Sequence, residues 1–254
     1  MLIARNPFSG EIVAEYPALT STQMHERIGD ADRAFDNWQN SPFSERAKVL
    51  TAVAAELRAD KNRLAELMAV EMGKPIKEGV AEVEKAAWCA EFYADNAEAF
   101  LKNETLASDA SRSYVCYQPL GTVLGILPWN APLWLAFRFL APALMAGNTC
   151  VMKHDPNVPA SAAGIADAFQ RAGAPADIMV NLPLETATVE EAIRDPRIRA
   201  VSFTGSDAAG RKVAALAGAE LKPAVLELGG SDPFVVLADA DLEKAADVAV
   251  LSRI

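Results

Sequence analysis

Four short constellations in this chain of 254 residues carry side chains that chemistry uses. Gly125-Ile-Leu-Pro-Trp-Asn130 puts a side-chain amide just past an apolar, strand-like run. An amide N–H fixed at the end of a buried strand can stabilise a developing oxyanion, an effect of about 3 kcal/mol. Asn130 can equally cap the helix that follows, and spacing alone favours that plainer role. Val151-Met-Lys153 ends a second apolar run with an amine that can reach ribose hydroxyls or a phosphate, unless it is merely solvated. Phe203-Thr-Gly205-Ser206, with Gly210 behind it, combines a glycine turn with a helix start. Glycine lets the backbone approach a pyrophosphate, and a helix N-terminus offers unpaired N–H groups. An ordinary strand–turn–helix joint has the same pattern, and no GxGxxG occurs in the chain. Finally, Leu226-Glu227-Leu228-Gly229-Gly230 releases a carboxylate from an apolar strand onto two glycines. Burial there would raise its pKa toward neutrality and suit a general base. A structural Glu paired with Lys or Arg is the rival.

These groups can cooperate only if a scaffold brings four distant segments to one place. The order of elements supplies one. NPFSGE and its flanks predict an edge hairpin, and four helical stretches follow between Thr22 and Leu101. Gly73 with Pro75 is the stop signal of the third. This arm is read as scaffold without chemistry. From Val123 onward, apolar runs alternate with helical ones. The strands are Thr149–Lys153, Ile178–Leu182, Ala200–Thr204, Ala224–Leu228 and Phe234–Leu237. The helices are Ala131–Ala146, Ala160–Ala172, Glu190–Arg194 and Asp207–Ala217. Such alternation predicts an α/β fold: a Rossmann-like parallel sheet with helices on both faces and a helical N-terminal arm. A last helix, capped by Asp239 or Asp241, is predicted to run to Ile254 without a stop signal.

Composition limits the function classes. Apolar residues make up 51%, and 24 Lys plus Arg against 34 Asp plus Glu give a net charge of −10. No basic patch suits nucleic acid. The most apolar stretch, Ala131–Ala146, is broken by Arg138 and two prolines. It also falls short of the roughly 20 residues of a membrane span. With no secretory signal, a cytoplasmic globular protein is expected. Cys89, Cys116 and Cys150 lack metal-ligand spacing, so buried inert thiols and no metal are expected.

PWN, MK, FTGS with Gly210, and ELGG, in that order, resemble the aldehyde dehydrogenase superfamily over essentially the whole chain. The resemblance implies that Asn130 donates to the oxyanion and that Glu227 activates the water that hydrolyses a thioester. It also implies that Trp129, Lys153, Gly205, Ser206, Gly210, Leu228 and Gly229 serve an NAD or NADP cofactor. The family reaction is thiolate attack on an aldehyde, hydride transfer to NAD(P)+, then hydrolysis to the acid. The family places its nucleophilic Cys beyond the last residue of this chain. The polypeptide as given is therefore expected to be inactive, with the catalytic domain absent. The implied division is 1–112 as N-terminal arm and helices of the dinucleotide-binding domain. Residues 113–123 would be part of an oligomerisation ribbon, making a full-length parent a homo-oligomer, and 124–254 the core of the dinucleotide-binding domain.

Lys153-His154 with Pro156-Asn157 nearby, and Gly229-Gly230-Ser231-Asp232-Pro233, resemble a bacterial NAD(P)-dependent succinate-semialdehyde dehydrogenase branch. Arg138, eight residues after Asn130 on an otherwise apolar helix, needs an anionic partner. The resemblance makes that partner the remote carboxylate of the substrate, which Arg can grip through both oxygens; an internal salt bridge is the alternative. Pro156 stands where strictly NAD-using members often carry Glu, so a 2′-phosphate should be tolerated. His154 is expected to be solvated. Two rival functions stay open: a non-catalytic dinucleotide-binding or assembly module, and the same chemistry on a different aldehyde.

Overall fold

A computed structural model describes residues 1–252. Strands β1 (Leu2–Arg5) and β2 (Ile12–Tyr16) pair antiparallel as the expected hairpin. Helices α1 (Ser21–Trp38), α2 (Phe43–Ala59), α3 (Lys61–Met72) and α4 (Ile76–Phe100) form the arm. Thr20 and Gln23 close a capping box on α1, and Gly73, at φ +76°, ends α3 with its N–H on the Ala69 carbonyl. A minimal hairpin of β3 (Glu104–Thr105) and β4 (Tyr114–Val115) follows. Then come β5 (Thr122–Ile126), α5 (Pro132–Met145), β6 (Thr149–Lys153), α6 (Pro159–Arg171), β7 (Met179–Asn181) and α7 (Val189–Arg194). The last elements are β8 (Ile198–Thr204), α8 (Asp207–Ala219), β9 (Ala224–Glu227) and α9 (Leu242–Leu251).

The five main strands form one parallel sheet in the order β7-β6-β5-β8-β9. Side chains alternate across it. On β5, Val123 joins the core built with α2 to α6, while Leu124 and Ile126 join the core built with α1, α7 and α8. Both faces are therefore covered, as the unbroken apolar runs predict. Among the described residues no helix is long and apolar enough to cross a membrane. Pro132–Met145 is instead a buried helix of the first core.

Some expectations need correction. Phe234–Leu237 forms no strand: β9 is the sheet edge, and Val235 is 75% exposed, so the run has no neighbour to pair with. Within 113–123 only Tyr114–Val115 belongs to the small hairpin, while Thr122 already enters the main sheet. Cys116 is exposed, not buried. Asp241, rather than Asp239, caps α9 by accepting from the Glu243 and Lys244 amides. The expected run of that helix to Ile254 stops at Leu251, with Ser252 as its cap, and its last two residues lie outside the described residues.

His25 fastens α1 to α7. Its ring lies 2.7 Å from Asp195 and 2.8 Å from Glu191, and the Asp195 hydrogen bond, outweighing burial, raises its pKa above the ordinary histidine value. A raised folded-state pKa adds stability below the unfolded value of about 6.5, and that stability is lost as pH rises through the folded value. The ring is 40% exposed, so screening holds the contribution below about 1 kcal/mol. His25→Gln is expected to lower the urea midpoint at pH 6 and leave it unchanged at pH 9. Equal losses at both would refute the charged bridge.

Candidate active site

Register explains how four distant motifs meet. Ile126 of β5 sits level with Lys153 of β6 on one side and Phe203 of β8 on the other. Phe203 is level with Leu226 of β9, and Thr204 with Glu227. The four motifs thus leave the sheet along its carboxyl edge. Strand order reverses there about β5, which is where open α/β sheets bind ligands. A backbone bond from the Gly205 amide to the Glu227 carbonyl, 3.0 Å, ties the third motif to the fourth.

A cleft of about 580 Å³ opens at this edge. Trp129, Lys153, Gly205 and Ser206 line it, with Pro156 beside them. Lys153 is buried, and desolvation lowers its pKa against the opposing pull of Asp155. A cation so desolvated favours anionic or hydroxyl-bearing ligands in the cleft. Ser206 caps α8, its side chain accepting from the Ala209 amide at 3.3 Å, so the helix start faces the cleft. An apolar wall from Val189, Ile193, Val213 and Leu216 suits a flat heteroaromatic ring. Lys212, also on the wall, was missed in the sequence. Its signal was the helical spacing Ala209, Lys212, Val213, Leu216, one face of α8. Size, desolvated amine and helix N-terminus together fit a dinucleotide.

Gly210, Leu228 and Gly229 do not line this cleft. Gly210 is needed for packing: a Cβ there would lie 2.4 Å from the Leu228 side chain. Leu228 therefore points toward α8, and alternation sends Glu227 to the opposite face. There Glu227 meets Arg138 of α5, with Nη2 to Oε2 at 3.2 Å. Their side chains are 39% and 54% exposed, so the burial expected of Glu227 is not provided by these residues. β9 is the outermost strand and nothing described covers its far side.

Asn130 is exposed and does not cap α5. The cap position is Ala131, without a side-chain bond. Glu82, on α4, accepts from the Leu133 and Trp134 amides at 2.9 and 3.2 Å instead. Lys74 pairs with Glu82 and donates to the Asn130 carbonyl at 2.9 Å. His154 is fully buried rather than solvated. Its Nε2 meets the Pro132 carbonyl at 2.9 Å, and burial depresses its pKa to about 4. A neutral ring there donates to that carbonyl, tying the end of β6 to the start of α5.

A model of the aldehyde dehydrogenase family matches residues 2–254. The succinate-semialdehyde dehydrogenase [NADP(+)] 1 of Mycobacterium ulcerans is 46% identical over 253 residues, covering 98% of this chain and 55% of that protein. A probable succinate-semialdehyde dehydrogenase [NADP(+)] from Synechocystis is 44% identical, again over 98% of this chain and 55% of its own length. The crystal structure of the Streptococcus pyogenes succinic semialdehyde dehydrogenase with NADP+ superposes with a TM-score of 0.95 at 33% identity. It matches 100% of this chain over 56% of its own. The chain spans about half the length of the curated relatives it matches.

Proposed function

The chain belongs to the aldehyde dehydrogenase family, and from that membership we propose that the whole protein oxidises succinate semialdehyde to succinate with NADP+ or NAD+. The observation that carries the reading is the meeting of Arg138 and Glu227 one strand-end away from the dinucleotide-sized cleft. Trp129, Lys153, Gly205 and Ser206 would hold the nucleotide, with Lys212 a second cation at its rim. Gly210, Leu228 and Gly229 support the cleft from behind. When bound, the nucleotide would supply the hydride acceptor for the oxidation.

Asn130 donates its amide to the carbonyl oxygen as charge develops on it. Arg138 takes the remote carboxylate of the substrate. An exposed ion pair contributes at most about 1 kcal/mol, so that carboxylate can displace Glu227 from Arg138. Glu227, so released, accepts the proton of the hydrolytic water. None of the three thiols lines the cleft, and the 254 residues by themselves are expected not to turn over. The relatives named for NADP+, together with Pro156 on the cleft wall, support tolerance of a 2′-phosphate.

Arg138→Ala, in a full-length protein carrying these residues, tests the substrate. KM for succinate semialdehyde should rise about 30-fold, from the roughly 2 kcal/mol of a charged hydrogen bond. KM for an uncharged aldehyde of the same length should stay within about two-fold, far below that change. Equal shifts for both would refute recognition of a carboxylate.

A further inference from the structure

Resting on the oxyanion role of Asn130 proposed above, we infer that Lys74 and Glu82 are positioning residues for that amide. The first turn of any helix leaves N–H groups without intrahelical partners. An Asn placed just before a helix ordinarily spends its side chain on them. In this chain a carboxylate from a different helix takes that work: Glu82 accepts from both the Leu133 and Trp134 amides. Its side chain is only 6% exposed, and a buried carboxylate needs a matching cation. Lys74, 12% exposed, supplies the charge and then reaches the Asn130 carbonyl.

The two contacts act differently on Asn130. Glu82 takes the acceptor role that the Oδ1 of Asn130 would otherwise fill at the helix start, leaving that side chain free to turn its N–H outward. Lys74 fixes the peptide from which that amide projects. Neither residue reaches the reacting atoms, and both lie in the segment that the sequence marks as inert scaffold. A pair that merely stabilised α5 would bind the helix amides and leave the Asn130 carbonyl alone. Lys74 instead touches the residue ahead of the helix, where orientation of a donor matters most.

The test joins residues 1–254 to the remaining portion of the Mycobacterium ulcerans relative and compares variants. Asn130→Ala should lower kcat about 100-fold. Lys74→Met with Glu82→Gln removes both charges together while an amide oxygen still accepts from α5. This pair should lower kcat about 10-fold through misplacement, with KM for the nucleotide unchanged. Added to Asn130→Ala, it should lower the rate no further, and Lys74→Arg should keep at least half of it. Multiplying losses, or a full rate in the Lys74→Met/Glu82→Gln variant, would overturn the inference. A full rate in Asn130→Ala would remove the oxyanion reading itself, and the inference with it. A readout free of turnover uses the 254-residue chain alone. The nitrogen-15 order parameter of Asn130 should fall from about 0.85 to below about 0.6 in the paired variant. Unchanged order there would equally overturn it.

Discussion

These 254 residues, purified and given succinate semialdehyde with NADP+, are expected to bind the nucleotide in calorimetry and to form no NADPH. The absence of turnover follows from where the thiols stand. Cys89 is buried between α4 and α5 beside the Phe137 carbonyl, and burial pushes its pKa to about 11. At neutral pH its thiolate fraction is about one in 10,000, far too small for a nucleophile. Cys150 is in the middle of the sheet, and burial raises it further still. Cys116 is exposed, but follows the small β3–β4 hairpin and lines none of the cleft. Nucleotide binding is expected because Trp129, Lys153, Gly205 and Ser206, which line the cleft, all belong to this chain. Joining the chain to the remaining portion of the Mycobacterium ulcerans relative should bring turnover into the ordinary range of about 1–1,000 per second. Sustained NADPH formation by the short chain would show that one of these thiols reaches the site.

Legibility in the sequence followed the range of the interaction. The strand ends carrying Lys153, Gly205 and Glu227 were readable, because period and turn chemistry act within a few residues. Their convergence was readable too, since parallel strands joined by helices must all point their carboxyl ends one way. The Lys74–Glu82 clamp was not. It spans 56 residues from Lys74 to Asn130 and 51 from Glu82 to Leu133, and no local pattern reports such a pairing. His154 departs from the local expectation for a related reason. A polar residue after a strand is ordinarily solvated, but here it follows β6 under the start of α5. Phe234–Leu237 has ideal strand composition and still forms none. β-propensity expresses fit to a neighbouring strand, and a free-standing run has no ladder to join.

In the chain joined to the remaining portion of the Mycobacterium ulcerans relative, Glu227→Gln is expected to leave one rapid burst of NADPH per active site and then stall. The substitution keeps shape but cannot take a proton from water, so only the hydrolytic half of the reaction suffers. General-base loss lowers the steady rate roughly 1,000-fold. The burst distinguishes this from a structural role: hydride transfer precedes hydrolysis, and Asn130 and the cleft are untouched. Arg138 supplies a second discriminator. Its only carboxylate partner among the described residues is Glu227, at 3.2 Å. If substrate must displace that partner, the amide variant frees the guanidinium in advance, and KM for succinate semialdehyde falls or holds. If the ion pair instead exists to hold β9 against α5, removing it should loosen the site, abolish the burst and raise KM. The two outcomes move amplitude and KM in opposite directions, so a single stopped-flow series with varied aldehyde separates them.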